Sequence, residues 1–251
     1  MNSQYNFTKM LSEVNSNSGF GIYKLSKQDL KIFQSLVLEQ YLEIVSSENS
    51  NLDKDFDISE YHNTKIANTD LHKKLWPKKN RILNKIRFKQ LMKSKFFSEL
   101  RSKFDWYEIT NEENVGEFGE VYFRLCRPLP HKDIGEFHAD AWFWELGHGE
   151  MPKVDFNTQR IKFWFCLETK ESKTGFRFVP GSHKNNYNYQ GEHRDGFVKP
   201  TFNEAEHDLL IESLRGKPGT FIVFNDRLLH SGELLDIGTR VSIEFTLVVR
   251  N

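Results

Sequence analysis

Residues 160–168 read RIKFWFCLE, and the alternation in that stretch sets the fold. Successive side chains of an extended strand point to opposite faces. Here Ile161, Phe163, Phe165 and Leu167 take one face, and Arg160, Lys162, Trp164, Cys166 and Glu168 take the other. Residues 240–247, RVSIEFTL, repeat the pattern: Val241, Ile243, Phe245 and Leu247 alternate with Arg240, Ser242, Glu244 and Thr246. Residues 120–128 (EVYFRLCRP) and 219–227 (GTFIVFNDR) also read as strands, bounded by Pro, Gly, Asn and Asp. Many strands at short spacing predict a mainly β protein with flanking helices, built as a sandwich or jelly roll.

Upstream of residue 105 the period changes. Leu30, Phe33, Val37, Tyr41 and Ile44 recur at helical spacing, and Ser26 with Asp29 resembles a capping box ahead of them. Residues 19–25 read as a short strand. Residues 72–103 hold twelve Lys or Arg against one acid, Glu99, interleaved with Leu75, Ile82, Ile86, Leu91, Phe96, Phe97 and Leu100. That pattern fits helices with a solvated basic face, or a site for an anionic partner. Downstream, residues 203–206 (NEAE) can cap a helix over DLLIESL that Gly216 ends. No repeat or linker divides the chain. The expected organisation is a single domain, 1–251, with 1–105 as a mostly helical support and 106–251 as the β core.

The chain has 251 residues, with 35 Lys plus Arg and 35 Asp plus Glu, so its formal charge is zero. Binding nucleic acid through overall basicity is not expected. Apolar runs are too short for a membrane helix, and the first nineteen residues lack the apolar core of a secretory signal. Cys126 and Cys166 alone make neither a disulfide framework nor a zinc cage. A cytoplasmic, reducing setting is the expectation.

A histidine and a carboxylate two apart on a strand project together and can reach one metal ion. A distant second histidine completes a facial triad, which leaves positions open as in non-haem Fe(II) oxygenases. Four such pairs occur: His131/Asp133, His138/Asp140, His148/Glu150 and His193/Asp195. Three lie in polar or Gly/Pro-rich contexts. Only His138-Ala139-Asp140 lies in a strand-like aromatic segment, EFHADAWFW, so it is the expected ligand pair. His131 and His148 could line the mouth. The second histidine is expected at His230, in FNDRLLHSGE. Ten residues on, Arg240 opens the last strand with Ser242 on its face. An arginine there could clamp a carboxylate through its two-pronged guanidinium.

This set resembles the Fe(II)/2-oxoglutarate-dependent dioxygenases. The stretch Trp164 to Glu168, then Thr174-Gly175 and Pro180-Gly181-Ser182-His183, is similar to the phytanoyl-CoA dioxygenase branch, with Thr174 where Asn is usual. The resemblance spans roughly residues 120–251. It implies a double-stranded β-helix with His138, Asp140 and His230 on Fe(II), and Arg240 on the distal carboxylate of 2-oxoglutarate. Ser242, Trp164 and Arg124 would be further cosubstrate contacts. His183 would be structural. The activity implied is hydroxylation of an unactivated C–H with O2, yielding succinate and CO2. Asp140 favours hydroxylation, since related halogenases carry a small residue there; desaturation or cyclisation stays open.

For the substrate, Trp142, Trp144, Arg127, Lys132 and Arg160 are expected near the mouth. They would suit an anionic or sugar-bearing small molecule. Two other classes compete: an inactive jelly-roll binding module, and a cupin-type metal enzyme. Arg240 and Ser242 speak against the first, whose main support would be a broken cosubstrate site, and the second does not need Arg240.

Overall fold

Helices supply most of the first hundred residues. Helix α1 (Phe7–Val14) leads into strand β1 (Phe20–Lys24) and the long helix α2 (Lys27–Ser47). Helices α3 (Leu71–Leu75), α4 (Lys85–Leu91) and α5 (Lys95–Lys103) follow. Strands β2 (Tyr107–Thr110) and β3 (Tyr122–Cys126) come next, then helix α6 (Asp140–Glu145). The remaining strands are β4 (Thr158–Glu168), β5 (Lys173–Phe178), β6 (Tyr189–Arg194), β7 (Phe197–Phe202), β8 (Glu212–Arg215), β9 (Thr220–Asn225), β10 (His230–Gly232) and β11 (Arg240–Arg250). The computed structural model describes residues 4–47, 56–104, 107–110, 119–147, 158–194 and 197–250.

The strands form a large antiparallel sheet in the order β1-β9-β4-β11-β2, with β3 also on β11. A second sheet runs β10-β5-β8, and β6 pairs with β7. This is the expected mainly β fold with flanking helices, a jelly roll. Both faces of β4 are buried, against different partners. Ile161, Phe163, Phe165 and Leu167 join a core with α1, α2 and α5. Trp164 and Cys166 pack with Phe176, Phe178 and Leu214, which fills the space between the two sheets. Phe96 of α5 meets Phe163, Phe165 and Phe221 edge-on at 5.9, 5.4 and 5.8 Å. Burying each such ring contributes about 1.5–3 kcal/mol.

Asp29 ties the support to this core. Its N–H donates to Ser26 Oγ at 2.9 Å, which caps α2 as the sequence suggests. Its buried carboxylate accepts from Tyr5 Oη at 2.6 Å and from the N–H groups of Lys95 and Phe96 at 2.9 and 3.3 Å. Its carboxylate thus satisfies backbone donors at the start of α5, while Ser26 satisfies its own N–H at the start of α2.

Two expectations are corrected. Residues 203–216 form no α-helix: a short 3-10 turn over Glu206–Asp208 precedes β8. Leu214 is buried between the sheets while Leu210 is 85% exposed, so the apolar residues do not make one helical face. The segment 136–144 is not a strand: a single bridge at His138 gives way to α6 at Asp140. The support is also not purely helical, since β1 forms an edge of the large sheet, as the reading of residues 19–25 anticipates. Among the described residues no helix is long and apolar enough to cross a membrane.

Candidate metal centre and cosubstrate pocket

Two histidines far apart in sequence meet as a backbone pair. His138 N–H donates to the His230 carbonyl at 3.0 Å, and His230 N–H donates to the His138 carbonyl at 2.9 Å. Residues paired this way in antiparallel chains carry their side chains to the same side, and the two rings lie 4.6 Å apart. Each Nδ1 bonds the carbonyl two residues earlier: Glu136 for His138 at 2.8 Å, Leu228 for His230 at 2.9 Å. A carbonyl can only accept, so each Nδ1 carries the proton and each Nε2 presents a lone pair.

Asp140 faces both. The Nε2 of His138 is 4.0 Å from its Oδ1, and the Nε2 of His230 is 3.6 Å from its Oδ2. The three candidate ligand atoms all lie within 4.8 Å of one another. Lys162, on the inner face of β4, places its buried Nζ 3.5 Å from Asp140 Oδ1. The start of α6 fixes the aspartate: Ala141 N–H donates to the Asp226 carbonyl at 2.9 Å, and the Asp226 carboxylate is ion-paired to Arg160. Phe176 stacks on the His230 ring at 5.3 Å, and Phe143 meets His138 edge-on at 5.5 Å. Two neutral imidazoles and one carboxylate suit Fe(II) with open positions. No fourth Cys, His or acid joins the group among the described residues, unlike a closed structural zinc site.

Arg240 occupies the same cavity, 3% exposed. Its Nη1 donates to the Gly175 carbonyl and its Nη2 to Cys126 Sγ at 2.6 Å. The guanidinium lies over Trp164 at 5.8 Å. Its buried Nε has no hydrogen-bond partner, and no carboxylate pairs with it among the described residues. Gly175 makes room for it. At φ +80° a Cβ would stand 2.5 Å from Arg240 Cδ, which explains the glycine of the Thr-Gly turn. The Pro180–His183 turn acts one step away. Ser182 Oγ accepts the Leu229 N–H at 2.8 Å, and Val179 N–H donates to the Leu229 carbonyl at 2.9 Å. That fixes the residue preceding His230, while His183 packs on Gly19.

The cavity has a volume of ≈ 640 Å³. His138, Asp140, His230, Arg240, Trp164 and Arg124 all line it. Arg124 is committed to Glu244 by a 2.8 Å ion pair. Ser242 is buried but lies outside the lining. Of the residues expected at the mouth, only Arg127 lines the cavity, and Asp133 pairs with it at 2.7 Å. Trp142 stacks on Tyr189 at 4.3 Å instead, Trp144 is buried beside Arg160, and Lys132 is elsewhere. His131 is not in the lining. His148, Glu150 and Asp195 lie outside the described residues. The sequence reading missed the wall formed by His72, Trp76 and Arg81, which come from the basic segment. It also missed Lys162 beside the aspartate and Cys126 beside Arg240. The charge excess in 72–103 was the one available signal.

Residues 128–234 match the family model described as Phytanoyl-CoA dioxygenase (PhyH). Among solved structures, EvdO2 from Micromonospora carbonacea var. aurantiaca complexed with 2-oxoglutarate is similar at a TM-score of 0.58 and 14% identity, over 96% of this chain and 90% of that one. AviO1 from Streptomyces viridochromogenes Tue57 is similar at 0.53 and 11%, over 98% and 96%. EctD from S. alaskensis with 2-oxoglutarate and 5-hydroxyectoine is similar at 0.51 and 14%, over 97% and 76%. At these identities the likeness is one of fold. No curated protein matches the sequence.

Proposed function

We infer, from the match of residues 128–234 to the phytanoyl-CoA dioxygenase family model, a non-haem iron, 2-oxoglutarate-dependent dioxygenase that hydroxylates an unactivated C–H of a small-molecule metabolite. His138, Asp140 and His230 hold the metal. Arg240 takes the distal carboxylate of 2-oxoglutarate, with Trp164 as the adjoining wall. When bound, Fe(II) supplies the centre at which 2-oxoglutarate and O2 react, so that one oxygen atom enters succinate as CO2 leaves and the other enters the product.

The chain's own part is placement. The carbonyls of Glu136 and Leu228 hold both imidazoles in the tautomer that offers Nε2. Lys162, with its Nζ 3.5 Å from Asp140 Oδ1, steers the carboxylate. Phe176 and Phe143 shield the imidazoles with apolar rings. The Gly175 carbonyl and Cys126 aim Arg240 before any cosubstrate arrives. Arginines on the cavity wall favour a substrate with anionic character.

The observation that carries this reading is the presence, in one cavity, of a two-His, one-Asp cluster and a buried guanidinium with no carboxylate of its own. The test is succinate formation from 2-oxoglutarate under air with added Fe(II) and ascorbate. Turnover is expected in the wild type and lost in His138→Ala. A folded wild type that binds neither metal nor 2-oxoglutarate would contradict it.

A further inference from the structure

We propose that Arg81, contributed by the basic N-terminal segment, is the substrate-anchoring residue of the cavity and takes a carboxylate or phosphate oxyanion of the substrate. The proposal rests on the dioxygenase reading for the identity of the site, and adds the group that recognises the substrate.

Four arginines line the cavity: Arg81, Arg124, Arg127 and Arg240. Three have work already. Arg124 is hydrogen-bonded to Glu244 at 2.8 Å. Arg127 holds both oxygens of Asp133 at 2.7 Å. Arg240 is bonded to the Gly175 carbonyl and Cys126, at the place for the cosubstrate. Arg81 differs. Its buried Nε has no hydrogen-bond partner among the described residues. Glu244, an acid whose charge acts on it, is held through Oε1 by Arg124. A buried guanidinium donor left unmet is costly unless a ligand satisfies it.

The backbone around Arg81 is fixed from both sides. Gln40 of α2, 4% exposed, donates to the Ile82 carbonyl at 2.6 Å and accepts the Asn84 N–H at 2.7 Å. Leu83 N–H donates to the Val121 carbonyl at 2.9 Å, and Ile82 bridges to Tyr122 at the start of β3. Asn80 donates to the Leu75 carbonyl at 2.8 Å. A donor held this firmly suits recognition of a defined group. The adjoining wall is Trp76, stacked on Tyr41 at 5.4 Å. His72 adds no competing positive charge at neutral pH: burial first, and Arg127 next, push its pKa down to about 4. Burial and the neighbouring Arg124 likewise lower the Arg81 pKa, which an incoming anion would reverse.

The test loads the full chain with Mn(II), which takes the iron site without turnover, and with saturating 2-oxoglutarate, which occupies Arg240. Inorganic phosphate and acetate are then titrated separately by calorimetry at low ionic strength. Saturable binding of at least one is expected, and the stronger of the two identifies the oxyanion type. Arg81→Gln should weaken it roughly 10- to 100-fold, and Arg81→Lys by less, because a charge-assisted hydrogen bond is lost or degraded. Lys103→Gln, exposed at the end of α5, should change nothing. Should the variants fail to fold, phosphate must still protect Arg81 of the wild type from phenylglyoxal, read by peptide mass spectrometry. A loaded wild type that binds neither anion, or binds equally in Arg81→Gln, overturns the role of Arg81 alone. A wild type that takes up neither Mn(II) nor 2-oxoglutarate overturns the parent reading instead.

Discussion

The two walls of the cavity are built by different means. On the metal side, His138 and His230 are locked by a reciprocal backbone pair and by a carbonyl on each Nδ1. Asp140 is set by the start of a helix and by Lys162. Every constraint there is main-chain or buried. On a second part of the lining, His72, Trp76 and Arg81 come from short helical turns laid over β3. Their backbone is anchored, but the charged end of Arg81 is left to the cavity. The first wall suits a fixed coordination geometry, and the second suits a substrate-specific contact.

The contrast can be broken most severely at the metal side. His138→Ala should abolish succinate formation while the far-UV circular dichroism stays that of the wild type, because the bridge it forms is made by backbone atoms. Retained turnover would move the metal elsewhere. Gly175→Ala should come next. The added Cβ collides with Arg240, and φ +80° disfavours alanine by about 1–2 kcal/mol. Its apparent affinity for 2-oxoglutarate should fall roughly 10- to 100-fold, like that of Arg240→Ala, since a charge-assisted contact is lost in both. Unchanged affinity in both would remove Arg240 from the cosubstrate site.

Lys162→Met sharpens the comparison within the metal wall. Groups that orient a metal ligand typically govern affinity by about 10- to 100-fold, so metal binding measured by competition should weaken by that factor. No change would show that the lysine only fills space. The remaining effect leaves turnover aside; it is expected at His72 and concerns the pH dependence of stability. The folded pKa of His72 is about 4, against 6.5 unperturbed, because burial penalises its charged form. The unfolded chain therefore binds a proton between those values that the folded chain refuses. The stability involved is complete above about pH 6.5 and is lost as pH falls to about 4, up to ~3 kcal/mol. Urea unfolding at pH 7 and pH 4 should show that extra loss in the wild type and not in His72→Gln.

Legibility followed the range of the interactions. Strands β4, β9 and β11 were readable because period two is written locally, even though both faces of β4 are buried. The stretch 203–216 was misread because DLLIESL fits either period until Leu214 is seen between the sheets and Leu210 in solvent. The candidate ligand set was readable through the spacing of His138 and Asp140 and the position of His230 before Arg240. The supposed reason was partly wrong, since Asp140 begins a helix rather than continuing a strand. Beyond the charge excess of residues 72–103, the wall of His72, Trp76 and Arg81 had no local signature. Arg81 is positioned by the clamp of Gln40 and β3 on residues 82–84, Trp76 by Tyr41 and His72 by Tyr61, and no spacing rule links them to His138.

The most direct test is a crystal structure of the chain with Mn(II) and 2-oxoglutarate. The account predicts the ion on Nε2 of His138, Nε2 of His230 and the Asp140 carboxylate, with the distal carboxylate of the cosubstrate against Arg240. An ion bound at other side chains, or a cosubstrate whose distal carboxylate avoids Arg240, would contradict it.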